Sequence, residues 1–187
     1  MSTHRRRLDG AGQGAQATAL PAPERELRAD AQRNHDLVLM AAAACFAERG
    51  VDVSIDEIAR RAGVGHGTVF RRFPTKDALL EAVVCERARG LAAAADEAAE
   101  VEDAWVGFEA FVREAASVYG RDRALLEGLG RCVEAEDVDA FVAAVRRLVA
   151  HAQQAGVLRR DVSAEDVLDL VPSASRHPEI VLAGLRA

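Results

Sequence analysis

Apolar residues recur at helical spacing from residue 33 onwards, and glycines or prolines separate the recurrent segments. The first segment places Val38, Ala42 and Phe46 on one helical face. Gly50 follows where a helix would end, because glycine readily adopts the left-handed conformation of a helix C-terminus. This spacing predicts an amphipathic helix whose apolar side is buried.

Two short helices and the beginning of a longer one are predicted next. Ser54 and Glu57 form the sequence S-x-x-E, a capping box that begins a helix, and Gly63 ends it. Gly65 can cap the following helix. A further, longer helix begins at Thr75, directly after a proline.

The remainder of the chain is predicted to be helical as well. Apolar stripes run through residues 105–119 and 138–152. A short helix capped by Ser163 is interrupted by Pro172, and the closing IVLAGLRA forms a last short helix. No segment shows the alternating pattern of a strand, so an all-α fold of about nine helices is predicted.

The composition is typical of a globular protein. Half of the 187 residues are apolar, which suffices for one or two buried cores. No apolar run approaches the roughly 18–20 residues of a membrane span, so we expect a cytoplasmic protein without a membrane partner. Cys45, Cys85 and Cys132 are widely spaced and lack CxxC pairing, which favours reduced, buried thiols.

Charge is distributed unevenly along the chain. Residues 33–80 carry seven basic and six acidic side chains, whereas residues 81–187 carry twelve and twenty. A polyanionic ligand would therefore be tolerated at the N-terminal end only. Residues 1–32 lack periodicity and are predicted to form a flexible arm, whose arginines Arg5–Arg7 are either solvated or reach a DNA minor groove.

The glycine-containing turn between the second and third predicted helices describes a helix-turn-helix unit. In a DNA-binding unit of this kind the second helix lies in the major groove, here held inward by Val69 and Phe73. Lys76, in the first turn of the next helix, can hold a phosphate. Alone, the pattern leaves open whether the unit binds DNA or is a packing element. The outward side chains able to meet base edges or phosphates are His66, Thr68, Arg71 and Arg72.

The segment AERGVDVSIDEIARRAGVGHGTVFRRFPTKDALLEAV resembles the DNA-binding domain of the TetR (tetracycline-repressor) family, and the resemblance covers residues 33 to about 85. GVLRRDVSAEDVL and LAGLRA resemble the C-terminal domains of the family more loosely. The resemblance implies a homodimeric transcriptional regulator, usually a repressor. It assigns residues 33–80 to a DNA-binding domain and residues 81–187 to ligand binding and dimerisation.

Carried over by position, the resemblance places Phe70 against the DNA backbone and the outward residues of the same helix in the groove. Three positions depart from the family. Gly65 replaces a common serine and Phe70 a common tyrosine, which removes a hydroxyl cap and a phenolic phosphate contact. Arg72 replaces a frequent histidine and adds a charge. The departures leave the contact set open.

The aromatic residues indicate where an effector would bind. Five of the eight fall between residues 105 and 141, on helices with which the family encloses ligands. We expect a mostly apolar pocket, with Tyr119 or His151 fixing the orientation of the ligand. The aromatic cluster can also be plain core, and His151 a partly exposed surface group. The candidate pocket residues are Trp105, Phe108, Val112, Tyr119, Phe141, Val145 and His151.

The expected function is that of a repressor released from a pseudo-palindromic DNA operator by a small, largely apolar effector. The alternative is a constitutive or architectural DNA-binding protein. The five histidines do not pair at ligand spacing, and HExxH, GxSxG and Walker patterns are missing from the sequence, so no catalysis, metal or cofactor is expected. Family members pair two long C-terminal helices in their dimers; the short helices expected around Pro172 indicate either a reduced interface or an incomplete sequence.

Overall fold

A computed structural model describes residues 22–128 and 135–187, with side chains described for residues 28–122 and 136–187. Within these ranges the chain forms eight helices and no strand, which confirms the predicted all-α class. The helices are α1 (Ala22–Arg49), α2 (Ile55–Ala62), α3 (His66–Arg72), α4 (Lys76–Ala99), α5 (Ala104–Gly128), α6 (Ala135–Gln154), α7 (Ala164–Ala174) and α8 (Pro178–Leu185).

Helix α1 begins at Ala22, so the prediction of a flexible arm is wrong for residues 22–32. This segment is rich in Ala, Glu and Arg, which have high helix propensity. Pro23 stands in the first turn, where its missing N–H group removes no intrahelical bond. High helix propensity thus accounts for the residues of α1 that precede the apolar repeat. Residues 1–21, including Arg5–Arg7, lie outside the described residues.

Local capping interactions set the ends of α2 and the beginning of α4. Ser54 Oγ accepts a hydrogen bond from the amide of Glu57 at 3.3 Å, but the Glu57 carboxylate pairs with Arg49 and does not complete the capping box. Gly63 ends α2 with φ of 70°, a conformation that other residues rarely adopt. Thr75 caps α4 by accepting a bond from the amide three residues later at 3.1 Å.

Two hydrophobic clusters meet along α4. The N-terminal cluster joins α1, α2 and α3 to the first part of α4, as far as Val84, and has Phe46 and Ile58 at its centre. The C-terminal cluster begins at Ala95 and extends through α5 to α8, with Phe108 fully buried. Because α4 is continuous from one cluster to the other, a displacement of this helix would change the packing of both clusters.

Helix α7 continues through Pro172 to Ala174, so the predicted interruption at this proline is wrong. Proline removes one backbone donor, the one that would bond the carbonyl oxygen of Leu168, and the helix ends two residues later at Ala174. The amide of Ser175 still donates to the carbonyl oxygen of Val171 at 2.9 Å. The predicted cap at Ser163 is confirmed, with both reciprocal bonds of a capping box present.

The end of the chain returns to the loop that follows α6. The amide of Arg159 donates to the carbonyl oxygen of Leu185 at 3.1 Å, and that of Ala187 to Val157 at 3.0 Å. These two bonds form a short antiparallel contact. They bring together the segments GVLRRDVSAEDVL and LAGLRA, which are distant in sequence.

The cysteines that the structure describes are unpaired. Cys45 and Cys85 are buried free thiols, whereas Cys132 lies outside the described residues. Burial raises the pKa of the Cys85 thiol above its ordinary value, which favours the protonated and unreactive form. In the same described ranges, no helix combines the length and the apolar character needed to cross a bilayer.

Gly107 allows α5 to pack closely against the end of α4. A Cβ atom at this position would lie 2.2 Å from the carbonyl oxygen of Ala98, a backbone atom that cannot turn away as a side chain does. We expect Gly107→Ala to lower the free energy of unfolding by about 1–3 kcal/mol, measured by urea denaturation.

Gly90→Ala provides the matched control for this substitution. Gly90 is exposed on α4, and a Cβ atom added there meets nothing within 4 Å. Alanine should raise the free energy of unfolding by about 0.4–1 kcal/mol, because it restricts the unfolded chain. A similar response of the two variants would contradict the close approach at Gly107.

Candidate DNA-binding surface and effector cavity

Helix α3 buries one side and exposes the other. Val69 and Phe73 are buried against the N-terminal cluster, as predicted. Phe70, between these two residues in sequence, is 55% exposed. The exposed side therefore carries an apolar group among cations. Two of the other predicted DNA-contact residues, Thr68 and Lys76, are half-buried. The rest are exposed: Gly65, His66, Arg71 and Arg72.

The N-terminal end of α3 is organised by side chains rather than by a cap. Gly65 occupies the cap position in an extended conformation and has no side chain to bond the free amides. His66 Nδ1 lies 2.5 Å from Asp56 Oδ1, in the first turn of α2. The His66 ring also stacks on Phe70, with centroids 6.1 Å apart. These contacts fix the two rings on the exposed side of the helix.

Three cations lie at the C-terminal end of α3 and the beginning of α4. Arg71 Nε donates to the carbonyl oxygen of Gly67 at 3.1 Å, and Arg72 Nε donates to His35 Nδ1 at 3.4 Å. Lys76 is the first residue of α4, where the backbone amides are also free. In the described part of the chain no carboxylate pairs with Arg71, Arg72 or Lys76.

The neighbouring arginines of α2 behave differently. Arg61 forms a bidentate pair with Glu48, in which each terminal nitrogen lies 2.6 Å from one carboxylate oxygen. Arg60 Nη2 lies 3.7 Å from Glu57 Oε1. Their charge is thus compensated within the protein, whereas the charge of α3 is not. A surface that keeps several cations without carboxylate partners attracts a polyanion, because each phosphate neutralised there releases counterions.

His35 on α1 is a residue of this surface that the sequence reasoning missed. Its ring stacks on Phe73, with centroids 5.6 Å apart, and its Nδ1 accepts the bond from Arg72. Burial, and next the charge of Arg72, lower the pKa of His35 below its ordinary value. The signal was available, since His35 shares a helical face with Val38 and Ala42.

An apolar cavity of about 320 Å³ lies among α4, α5, α6 and α7. Its size falls at the lower end of the range for small-molecule sites. Of the seven predicted pocket residues, Tyr119 and Phe141 line it. The other lining residues are Val84, Arg87, Ala88, Leu91, Ala115, Val118, Val138, Val142, Leu168, Val171 and Pro172.

The remaining predicted pocket residues lie elsewhere. Trp105, Phe108, Val112 and Val145 are buried in the C-terminal cluster, and the indole N–H of Trp105 is already bonded within its own helix at 3.0 Å. Half-buried His151 does not line the cavity. Helical spacing identifies the inward face of α5 and α6, but it does not indicate which part of that face other side chains fill.

Arg87 and Asp122 form an ion pair that the sequence reasoning also missed. Arg87 Nε lies 2.9 Å from Asp122 Oδ2, and the Asp122 side chain is 3% exposed. Asp122 stands where α5 departs from helical geometry, with φ of −107° and ψ of 17°. Its position three residues after Tyr119, on the apolar stripe, was the signal that could have revealed a buried acid.

A second, larger cavity of about 780 Å³ lies among α1, α4 and α5, and both members of the ion pair line it. Its walls include four carboxylates and the 71% exposed Met40, so it is a solvent-accessible cleft that carries charged groups. Among the described residues, no group of three or more His, Cys, Asp or Glu side chains could hold a metal ion.

Two family patterns match the chain. The pattern described as bacterial regulatory proteins, tetR family, matches residues 38–83. The pattern described as the C-terminal domain of SbtR-like transcriptional regulators matches residues 100–187. The first contains the helix-turn-helix unit, and the second the helices from α5 to α8.

Solved structures of similar proteins cover nearly the whole chain. A TetR transcription regulatory protein from Mycobacterium vanbaalenii is 38% identical, with a TM-score of 0.73 over 86% of this chain and 99% of that one. The TetR transcriptional regulator SCO0520 from Streptomyces coelicolor is 27% identical, with a TM-score of 0.64 over 81% of this chain and 97% of that one.

Curated relatives match over a shorter part of the chain. The HTH-type transcriptional repressor Rv3405c from Mycobacterium tuberculosis is 54% identical over 48 residues, 25% of this chain and 26% of the relative. The match thus spans about a quarter of that relative's length. The fold and the exposed surface of α3 define a helix-turn-helix transcription regulator. The chain belongs to the TetR family, a family of DNA-binding repressors.

The pKa of His35 predicts a pH-dependent stability. Because this pKa lies below the ordinary value of 6.5 in the folded chain, the unfolded chain binds the proton more readily. The free energy of unfolding therefore falls as the pH drops through 6.5 towards the folded pKa. His35→Gln should lose less stability than the wild type between about pH 7.5 and about pH 5, measured by urea denaturation.

The exposed His177 on the far side of the molecule supplies the control. His177→Gln also removes one imidazole but leaves α1 and α3 unchanged. If both glutamine variants change the pH dependence alike, the effect does not come from the environment of His35. Asp36 and Glu86 raise the pKa of His35 and Arg89 lowers it, and all three are retained in both variants.

Proposed function

We propose that the chain is a dimeric repressor that reads a pseudo-palindromic DNA operator with α3 and leaves it when a small, largely apolar effector occupies the cavity among α4 to α7. The observation that carries the DNA-binding part is the cluster of three cations without carboxylate partners beside the exposed Phe70. The similarity of 48 residues of the chain to a transcriptional repressor supports the same conclusion.

The exposed groups of α3 fit distinct tasks on a duplex. Arg71 can offer two N–H groups to guanine O6 and N7. Thr68 and His66 suit base edges or phosphates, and the Phe70 ring suits sugar or thymine methyl groups. The ammonium of Lys76 and the amides that remain free in the first turn of α4 would hold one phosphate together. Arg72 is held by His35 and would contact the backbone from there.

A second copy of the chain would supply the second α3 helix that a pseudo-palindromic operator requires. Ile180 on α8 is 72% exposed, and Leu170 and Val181 beside it are only half-buried. We propose that this face of α7 and α8 packs on its equivalent in a two-fold dimer, since a self-complementary patch suits that symmetry. The two α3 helices would then enter successive major grooves about 34–36 Å apart.

Helix α4 is the proposed link between effector and operator. It begins at Lys76, next to α3, and lines the cavity through Val84, Ala88 and Leu91. A ligand that binds one position of α4 better than another shifts the population towards it. A coupling of about 1–3 kcal/mol would change operator affinity about 5- to 150-fold.

The test of DNA reading begins with selection of bound sequences from random duplexes, which should recover a two-fold symmetric site. Arg71→Ala should then cost about 1–3 kcal/mol and relax the sequence preference, because a base contact is lost. Lys76→Ala should weaken all sequences alike and lower the salt slope by about one, because a phosphate contact is lost. Fluorescence anisotropy at several salt concentrations measures both.

Arg160→Ala is the control for charge, since Arg160 is an exposed arginine that lies outside the helix-turn-helix unit. It should leave both affinity and preference near those of the wild type. Equal loss of preference in the Arg71 and Lys76 variants would contradict the division between reading and positioning, and failure to select any site would contradict operator binding itself.

Filling the cavity should separate effector response from DNA binding. Val142 lines the cavity, so Val142→Phe should block an effector while keeping operator affinity in its absence. Val106→Phe makes the same change at a position that is 53% exposed on α5 and should respond as the wild type does. The measurement is operator affinity titrated with a library of apolar compounds.

Phe108→Ala is unsuited to this test. Phe108 is fully buried in the C-terminal cluster, so its loss should cost about 3–5 kcal/mol of stability whatever the ligand.

If no compound changes the operator affinity of the wild type, a constitutive DNA-binding protein becomes the better description.

A further inference from the structure

The cavity among α4, α5, α6 and α7 is lined almost wholly by apolar atoms. Among the described residues of its wall, only Arg87 and Tyr119 have a polar group in the side chain, and no carboxylate or amide side chain borders it. A hydroxyl, ammonium or carboxylate group placed in this space would lose its hydrogen bonds to water and find few replacements. The wall thus disfavours polar ligands.

The charge of Arg87 is compensated outside this cavity. Arg87 Nε lies 2.9 Å from Asp122 Oδ2, and Asp122 lines the larger cleft among α1, α4 and α5 rather than the apolar cavity. A long cationic side chain can border apolar space with its methylene groups while its charged end lies elsewhere. The almost wholly apolar wall agrees with that arrangement, so Asp122, and not a ligand, compensates the charge.

The volume of the cavity sets the size of a ligand that can fill it. It measures about 320 Å³. In another protein, an engineered apolar cavity of about 150 Å³ stays dry and binds benzene. By that scale this cavity suits a molecule of roughly ten carbon atoms, the size of two fused benzene rings. The aromatic rings of Tyr119 and Phe141 belong to the wall and can pack against a planar molecule.

We propose that the cavity takes an uncharged hydrocarbon of about ten carbon atoms, which it selects by shape and by the exclusion of polar groups. This inference rests on the proposed effector site and adds the chemical class and the size of its ligand. In contrast to the role predicted for it from the sequence, Tyr119 contributes its ring to the wall, and its hydroxyl group takes no part in orienting the ligand.

The test compares four probes that share one ring system: naphthalene, and its naphthol, naphthoate and naphthylmethylammonium derivatives substituted at the same ring position. Isothermal titration of the full-length protein should show naphthalene binding about ten-fold or more tightly than naphthol, because a buried hydroxyl group without a partner costs affinity. The two ions should bind more weakly still, since an unpaired charge costs more. Any derivative that binds as tightly as naphthalene would overturn the inference, as would the failure of naphthalene to bind.

Variants of the wall locate the bound hydrocarbon. Val142→Phe fills the cavity and should abolish naphthalene binding, whereas Val106→Phe, at a 53% exposed position on α5, should retain it. Leu91→Ala enlarges the cavity and should shift the preference from naphthalene towards the larger phenanthrene. This second variant keeps the placement testable if Val142→Phe does not fold. Unchanged naphthalene binding in both wall variants would contradict the placement.

Tyr119→Phe separates shape from hydrogen bonding. It removes the hydroxyl group and keeps the ring, so naphthalene should keep its advantage over naphthol. If the wild type prefers naphthol and Tyr119→Phe reverses that preference, the hydroxyl group orients the ligand and the inference fails.

The outcomes also distinguish this inference from the function on which it rests. If naphthol or an ion binds most tightly and changes operator affinity, the effector cavity stands and the hydrocarbon class fails. If no probe binds the wild type while other compounds in the library release the operator, the hydrocarbon class again fails and the repressor function stands. If naphthalene binds as expected but leaves operator affinity unchanged, the hydrocarbon site stands and its regulatory function fails.

Discussion

Helix α4 is buried in both hydrophobic clusters, and this double burial constrains the rest of the structure. Leu79 and Val83 place its first half in the N-terminal cluster, against α1, while Ala95 and Ala98 place its second half in the C-terminal cluster. Because interiors are close-packed, neither half can move without displacing its neighbours. This double burial is the basis of the proposed link between α3 and the apolar cavity.

The two ion-pairing patterns along the chain follow from this arrangement. On α2 the arginines are compensated by acids of the protein, which keeps the scaffold of the N-terminal domain internally neutral. On α3 and at the start of α4, Arg71, Arg72 and Lys76 have no carboxylate partner within the described residues. Arg87 and Asp122 form a third type, a largely desolvated pair that joins α4 to α5. Such a pair contributes little net stability, but the loss of one partner would leave the other charge uncompensated.

The exposed side of α3 is held in place by contacts within the protein. His35 and Phe73 form a stack that supports Arg72, and His66 is held by Asp56 and Phe70. Side chains that are already ordered lose less conformational entropy when they contact a duplex. The neutral form of His35 is needed for this support, because a protonated ring could not accept the bond from Arg72.

The sequence by itself determined the helix-turn-helix unit, since short-range signals such as Ser54, Gly63 and Thr75 act within a few residues. It also determined which face of each helix is buried, because helical periodicity is a local property. Only the tertiary structure decided which inward-facing side chains border the cavity. Phe108 is packed in the core, whereas Phe141 lines the cavity. The pairing of Arg87 with Asp122 depended likewise on packing between distant segments, which no local pattern encodes.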